Sequence, residues 1–163
     1  MLTKEKALLG YQLTRMNEPR HPANKWLVAY WQARRGADGI ASRADMPFSD
    51  LRHLLPAFFV IEPVDDGRDF IYRLAGTEIE GRLNLRLTGR CFTECYAEDA
   101  ETAIRFYNEI LEDPTVRVLR GKFLGRGVEY ANFETVQMLV RNEAGRLQIC
   151  GSMFDMDRTG PFC

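Results

Sequence analysis

Two stretches decide how this chain is read: Asp69-Phe-Ile-Tyr-Arg-Leu-Ala-Gly-Thr77 and, shortly after it, Leu87-Thr-Gly-Arg90. In the first, Phe70, Tyr72 and Leu74 recur at period two, so they share one face of a strand that Gly76 and Thr77 end. The second carries Gly89 where the chain must bend, and Thr77 and Arg90 are expected to tie this connector down. A strand that breaks at once into short helical pieces leaves side chains around a cavity instead of filling a plain hairpin. The pair points to binding, and it carries no catalytic signature.

Upstream, Phe58-Phe-Val-Ile61 is continuously apolar and reads as a central strand covered on both faces. Asp65-Asp-Gly67 is a tight turn joining it to the strand over 68–75, which makes the two antiparallel neighbours. Before them come two predicted helices, one over 3–16 with Ala7, Leu8 and Tyr11 on its stripe, and one from about Pro22 to Arg35. A connector then leads to a short helical turn that Ser49 or Asp50 caps and Pro56 breaks. Downstream, residues 98–112 form an amphipathic helix with Ala103, Ile104, Tyr107 and Leu111 inward, and Glu101 and Arg105 can pair across one turn. Strands follow at Val116–Phe123, Tyr130–Val140 and Leu147–Phe154, separated by glycine-bearing turns. The pattern is an α+β domain on a five-stranded antiparallel sheet, with no βαβ alternation and no repeat.

Composition sets bounds on function. A chain of 163 residues, 45% of them apolar, is expected to be one domain over 1–163. A net charge of −1 creates no field for nucleic acid or an anionic membrane. No signal-peptide core and no spanning apolar run is visible, so a cytoplasmic protein is expected, with Cys91, Cys95, Cys150 and Cys163 as free thiols.

The order of elements resembles a PAS domain, in particular a small bacterial family in which the PAS fold makes up nearly the whole protein. The carriers are Leu54-Leu-Pro56, Phe70-Ile-Tyr-Arg-Leu-Ala-Gly-Thr77, Leu87-Thr-Gly-Arg90 and Phe133-Glu-Thr-Val-Gln-Met-Leu139, with Met138-Leu-Val140 standing where related chains tend to carry Leu-Pro. The resemblance implies a core over 54–154, a helical extension over 1–36, and sheet order 2-1-5-4-3. It also implies a pocket between sheet and connector, and sensing or protein association without one shared ligand.

The expected pocket is lined by Tyr72, Leu74, Ile79, Leu83, Phe106, Phe123, Phe133 and Met138, all of which are also candidate core residues. Glu134, amid Phe133, Val136 and Met138, is the best carboxylate candidate: facing inward it would serve the pocket by hydrogen bonding, facing outward it would form a cross-strand pair. Arg73 is expected to pair with an acidic neighbour or to lie along the sheet surface, the alternative being a carboxylate or phosphate contact if it turns into the cavity. Arg82, Arg86 and Arg90, interrupted by Gly81 and Gly89, read as a solvated face. Gly89-Arg-Cys-Phe92 is a poor match to a flavin-adduct loop, Cys91 and Cys95 have the wrong spacing for zinc, and His53 is better read as a helix-end residue than a haem ligand. No cofactor is assigned. No GxSxG, HExxH or phosphate-loop motif is present, so an enzyme is not expected.

With no output domain visible, signalling would run through association with a protein partner or a second copy, and Trp26, Tyr30 and Trp31 offer a dimer surface. Two rival readings are a cone-shaped α+β enzyme related to nuclear transport factor 2, with Glu134 and Tyr72 as its facing pair, and a ligand-free adaptor.

Overall fold

The computed structural model describes residues 11–123 and 132–156. The strands are β1 (Tyr11–Met16), β2 (Ala41–Ser42), β3 (Phe58–Val64), β4 (Asp69–Ala75), β5 (Arg117–Phe123), β6 (Asn132–Arg141) and β7 (Leu147–Asp155). The helices are α1 (Pro22–Gln32), α2 (Phe48–Leu51), α3 (Thr77–Leu83), α4 (Phe92–Tyr96) and α5 (Ala100–Leu111). Hydrogen-bonded order across the sheet is β1-β5-β6-β7-β3-β4. The two-residue β2 runs parallel to the end of β6, with Ala41 opposite Val140, where β5 no longer reaches. The fold is α+β, with two strands added to the five expected.

One addition corrects the helix expected over 3–16. Residues 11–16 are strand, antiparallel to β5 from Tyr11 opposite Phe123 to Met16 opposite Val118, while residues 3–10 lie outside the described ones. The open edge of β5 offers a row of unpaired N–H and C=O groups, and pairing along it outweighs a weak local helical pattern.

Both faces of the sheet are covered, which is why Phe58, Phe59, Val60 and Ile61 are all buried. On the inner face, α3, α4 and α5 pack over Phe59, Ile61, Phe70, Tyr72, Phe133 and Ile149. On the outer face, α1 and the turn before β3 cover Phe58, Val60, Val136, Met138 and Cys150. Pro22 opens α1 at its first turn, and His21 caps it by accepting from the Ala23 amide at 3.1 Å. Ala23, Asn24, Leu27, Val28 and Trp31 form its buried stripe. Trp31 is 0% exposed and donates its indole N–H to the Leu139 carbonyl at 2.9 Å, so it belongs to the core and leaves the expected dimer surface.

The two deciding stretches meet each other and the Leu54-Leu-Pro56 turn. The Gly76 amide donates to the Phe58 carbonyl at 2.9 Å, and a Cβ there would sit 2.3 Å from the Leu55 carbonyl oxygen and 2.2 Å from that of Pro56. Only glycine fits so close to backbone. The hydroxyl that ties the connector back is that of Thr88. It accepts from the Ala75 amide at 2.9 Å and donates to the Ala75 carbonyl at 3.2 Å. Gly89, at φ +83°, then donates to the Tyr72 carbonyl, and the Tyr72 amide donates to Arg90, so the loop runs along β4 as a partial extra strand. Arg90 adds bonds from its guanidinium to the Arg86 and Glu94 carbonyls.

Candidate functional site

A cavity of about 60 Å³ lies between the inner face of the sheet and the α3–α5 layer. Five residues expected from the sequence line it: Tyr72 from β4, Ile79 and Leu83 from α3, Phe106 from α5 and Phe133 from β6. They meet because α3 begins at once after β4 and folds back over the strand, while α5 returns across β6 and β7. Leu13, Phe59, Ile61, Ala103, Leu119 and Met153 add to the apolar walls.

Three expected lining residues face away from the cavity. Leu74 is displaced by a β-bulge. Val60 pairs with Leu74 but Ile61 pairs with Tyr72, leaving Arg73 unopposed and turning Leu74 to the outer face, where it packs beside Val60. Glu134 and Met138 also belong to the outer face, because on β6 the inward positions are Phe133, Thr135, Gln137 and Leu139. The side chain of Phe123 lies outside the described ones.

Glu134 is therefore an anchor for α1 and has no part in the cavity. Its carboxylate is fully buried and accepts from the Arg20 and His21 amides at 2.9 Å each, from Asn24 Nδ2 at 3.1 Å and from Arg120 Nε at 3.1 Å. Asn24 in turn donates to the Glu134 carbonyl and accepts from Ser152 Oγ, so α1 is stitched to β6 and β7 by one polar cluster. Burial alone would raise the Glu134 pKa, but these donors overrule it and hold the acid below its ordinary value. Neighbouring His21, stacked on Phe154 with ring centroids 4.5 Å apart, has its pKa lowered by burial against the pull of Glu134 and Asp155. α1 has no acidic residue in its own first turn, and Glu134 supplies that charge from the sheet.

Polar groups in the cavity are few. The hydroxyls of Tyr72 and Tyr96 hydrogen-bond each other across it. Gln137, only 3% exposed, donates from Nε2 to the Tyr107 hydroxyl at 3.3 Å, while its Oε1 has no hydrogen-bond partner. An unmet buried acceptor costs about 1–3 kcal/mol, and the motif Phe133-Glu-Thr-Val-Gln-Met-Leu139 contains this glutamine without marking a role for it. Only its place two residues along β6 from an inward Thr135 could have revealed it. Among the described residues no charged side chain lines the cavity.

The other candidates fall into place by contact. Arg73, half exposed, pairs with Glu62 at 2.8 Å. Glu62 also accepts from Gln148 and Asn142; burial would raise its pKa, but the bonds from Arg73 and Gln148 hold it below its ordinary value. Arg82 pairs with Asp155, leaving the solvated stripe to Arg86 and Arg90. Cys91 and Cys95 are free thiols with pKa values raised by burial, and among the described residues no group of three or more His, Cys, Asp or Glu could hold a metal. Trp26 stacks on Tyr30 with centroids 4.8 Å apart and meets the edge of His53, which places that histidine in a surface aromatic group. Among the described residues no helix is long and apolar enough to cross a membrane.

A family model described as a PAS domain matches residues 19–153. That span takes in every element from α1 onward except the last residues of β7, and leaves out β1. No curated protein and no solved structure matches the chain.

Proposed function

Since the chain belongs to the PAS domain family, whose members are sensory or regulatory domains, we propose that it senses a small molecule held in the cavity between the sheet and α3–α5, and signals by association with a partner. The observation that carries this reading is the unmet Gln137 acceptor facing an apolar cavity whose polar groups are otherwise the tyrosine hydroxyls and Thr135. A cavity of about 60 Å³ holds about four to six waters at roughly 10–15 Å³ each, which fits a short molecule and is far too small for a flavin or haem. The absence of charge on its walls suits an uncharged segment of ligand.

In this reading the chain is one cytoplasmic domain without catalytic activity. Glu134 and Tyr72, the pair an enzyme would have needed, stand on opposite faces of the sheet and cannot act on one substrate. Output would pass through the outer face, where α1 is held on β6 and β7. The accessible part of the aromatic group, exposed Trp26 and half-buried Tyr30, is the proposed contact for a partner or a second copy.

Native mass spectrometry of freshly purified protein, compared with its denatured mass, tests both parts. An added mass lost on denaturation supports the sensor. A bare chain whose cavity stays unfilled when titrated with small alcohols and acids, yet which captures a defined partner, makes it an adaptor. A strictly monomeric chain at high concentration refutes self-association.

A further inference from the structure

Beside the cavity, between β1, β5 and α5, a crevice of about 340 Å³ is lined by Leu13, Arg15, Phe106, Arg117 and Leu119, with Arg105 and Glu109 at its side. Leu13, Phe106 and Leu119 line the cavity as well, so one apolar wall serves both spaces. The guanidinium of Arg117 lies over the Phe106 ring, 5.3 Å from its centroid, which places a fixed cation on that shared wall.

The charges in the crevice are poorly matched. Arg105 has Glu101 at 3.4 Å, but Arg15 and Arg117 make no ion pair with any described carboxylate. Among the described lining residues Glu109 is the one acid, and nearby Asp113 accepts from the Thr115 amide at 2.9 Å. Burial, and then the proximity of Arg15, lower the Arg117 pKa, with Glu109 and Asp113 acting the other way. Two cations held together at the edge of an apolar space are the complement of an amphipathic anion.

We propose that cavity and crevice together bind a short-chain carboxylate, its chain passing along Leu13, Phe106 and Leu119 and its head group resting on Arg15 and Arg117. This rests on the reading of the cavity as a small-molecule site, and adds the class of ligand and the residues that select it. It also gives β1 a purpose, since Leu13 and Arg15 both come from the strand that lies outside the family match.

Hexanoate and hexanol, titrated into the whole chain by calorimetry at low salt, separate the two claims. Hexanoate is expected to bind about tenfold more tightly than hexanol, a preference of the size one charge-assisted contact supplies. Arg117→Gln, and Arg15→Gln with it, should bring hexanoate down to the affinity that the same variant has for hexanol. Arg117→Lys should keep part of the preference, and Arg141→Gln, remote and exposed, should keep all of it. Each variant is first matched to the parent by thermal unfolding, and Arg117→Lys stands in if the glutamine variant does not fold. Equal binding of the two probes, or a preference that survives loss of both arginines, overturns the carboxylate while leaving the cavity site intact. Failure of both probes to bind overturns the cavity reading and the carboxylate with it.

Discussion

Replacing Glu134 with glutamine removes one carboxylate oxygen from a site where both are in use. Oε1 accepts from the His21 amide and Asn24 Nδ2, and Oε2 from the Arg20 amide and Arg120 Nε. Whichever way the amide is turned, its NH2 faces two donors, and Arg120 is left without its ion-pair partner at 3.1 Å. Removing one side of a buried, hydrogen-bonded pair costs about 3–5 kcal/mol, and the glutamine keeps one acceptor, so a loss of about 2–4 kcal/mol is expected at pH 7. The sign with pH follows from linkage. The folded pKa of Glu134 lies below the ordinary 4.5, so its contribution is present above 4.5 and lost as pH falls through the folded value. His21, lowered from 6.5, adds a loss in the same direction that begins below 6.5 as it protonates. Urea unfolding followed by circular dichroism should therefore show parent and E134Q well separated at pH 7 and converging in acid, with hydrogen exchange fastest to rise over residues 22–32. A variant within about 0.5 kcal/mol of the parent at pH 7, or a gap unchanged at low pH, would refute the anchoring role.

Gly76→Ala puts a methyl carbon about 2.2 Å from the Pro56 carbonyl oxygen, so it should cost about 3 kcal/mol or abolish soluble expression, and a normal melting temperature would show that the turn can yield. Gln137→Leu removes the unmet acceptor at the loss of one long bond to Tyr107; it should stabilise the ligand-free chain by about 1 kcal/mol in urea and weaken small-molecule binding, whereas destabilisation above about 1 kcal/mol would mean the amide is satisfied. Arg73→Ala should cost less than about 1 kcal/mol, because the arginine is half exposed and Glu62 keeps Gln148 and Asn142; a loss above about 2 kcal/mol in the same assay would mean that the fold depends on this ion pair.

Most of the architecture was legible because it rests on short-range physics. Period-two runs, the Asp65-Asp-Gly67 turn and Pro22 before an amphipathic stripe each act within a few residues, and each element they predict is present. The helix over 3–16 failed over its last six residues for the opposite reason. What fixes Tyr11–Met16 as strand is the free edge of β5, a hundred residues on, and nothing local reports it. Trp31 and Trp26 make the same point on one helix. Both fit a helical spacing, but whether an aromatic side chain meets the sheet or solvent depends on where Asn24 and Glu134 hold the helix, and that rotation is a long-range property.

The candidate site was half legible, and the missing half turns on a single extra residue. Alternation puts Tyr72 and Leu74 on one face only while β3 and β4 keep step. The bulge at Arg73 breaks the step, sending Leu74 outward and Ala75 inward, while the Ala75 backbone amide and carbonyl bond the Thr88 hydroxyl on the connector. Without the bulge, Gly76 would reach the Leu55-Pro56 turn with its face reversed, and the close approach that only a glycine allows would be lost. Parity on β6 does the rest. A strand of ten residues buried on both faces gives no hydropathy signal for which half faces the cavity, so Glu134, the conspicuous charge, drew the functional reading while Gln137, three residues on and on the other face, carries the unmet hydrogen bond. In this strand, buried on both sides, the polar residue with every acceptor met holds the fold, and the one with an acceptor left unmet is the one the proposed ligand would satisfy.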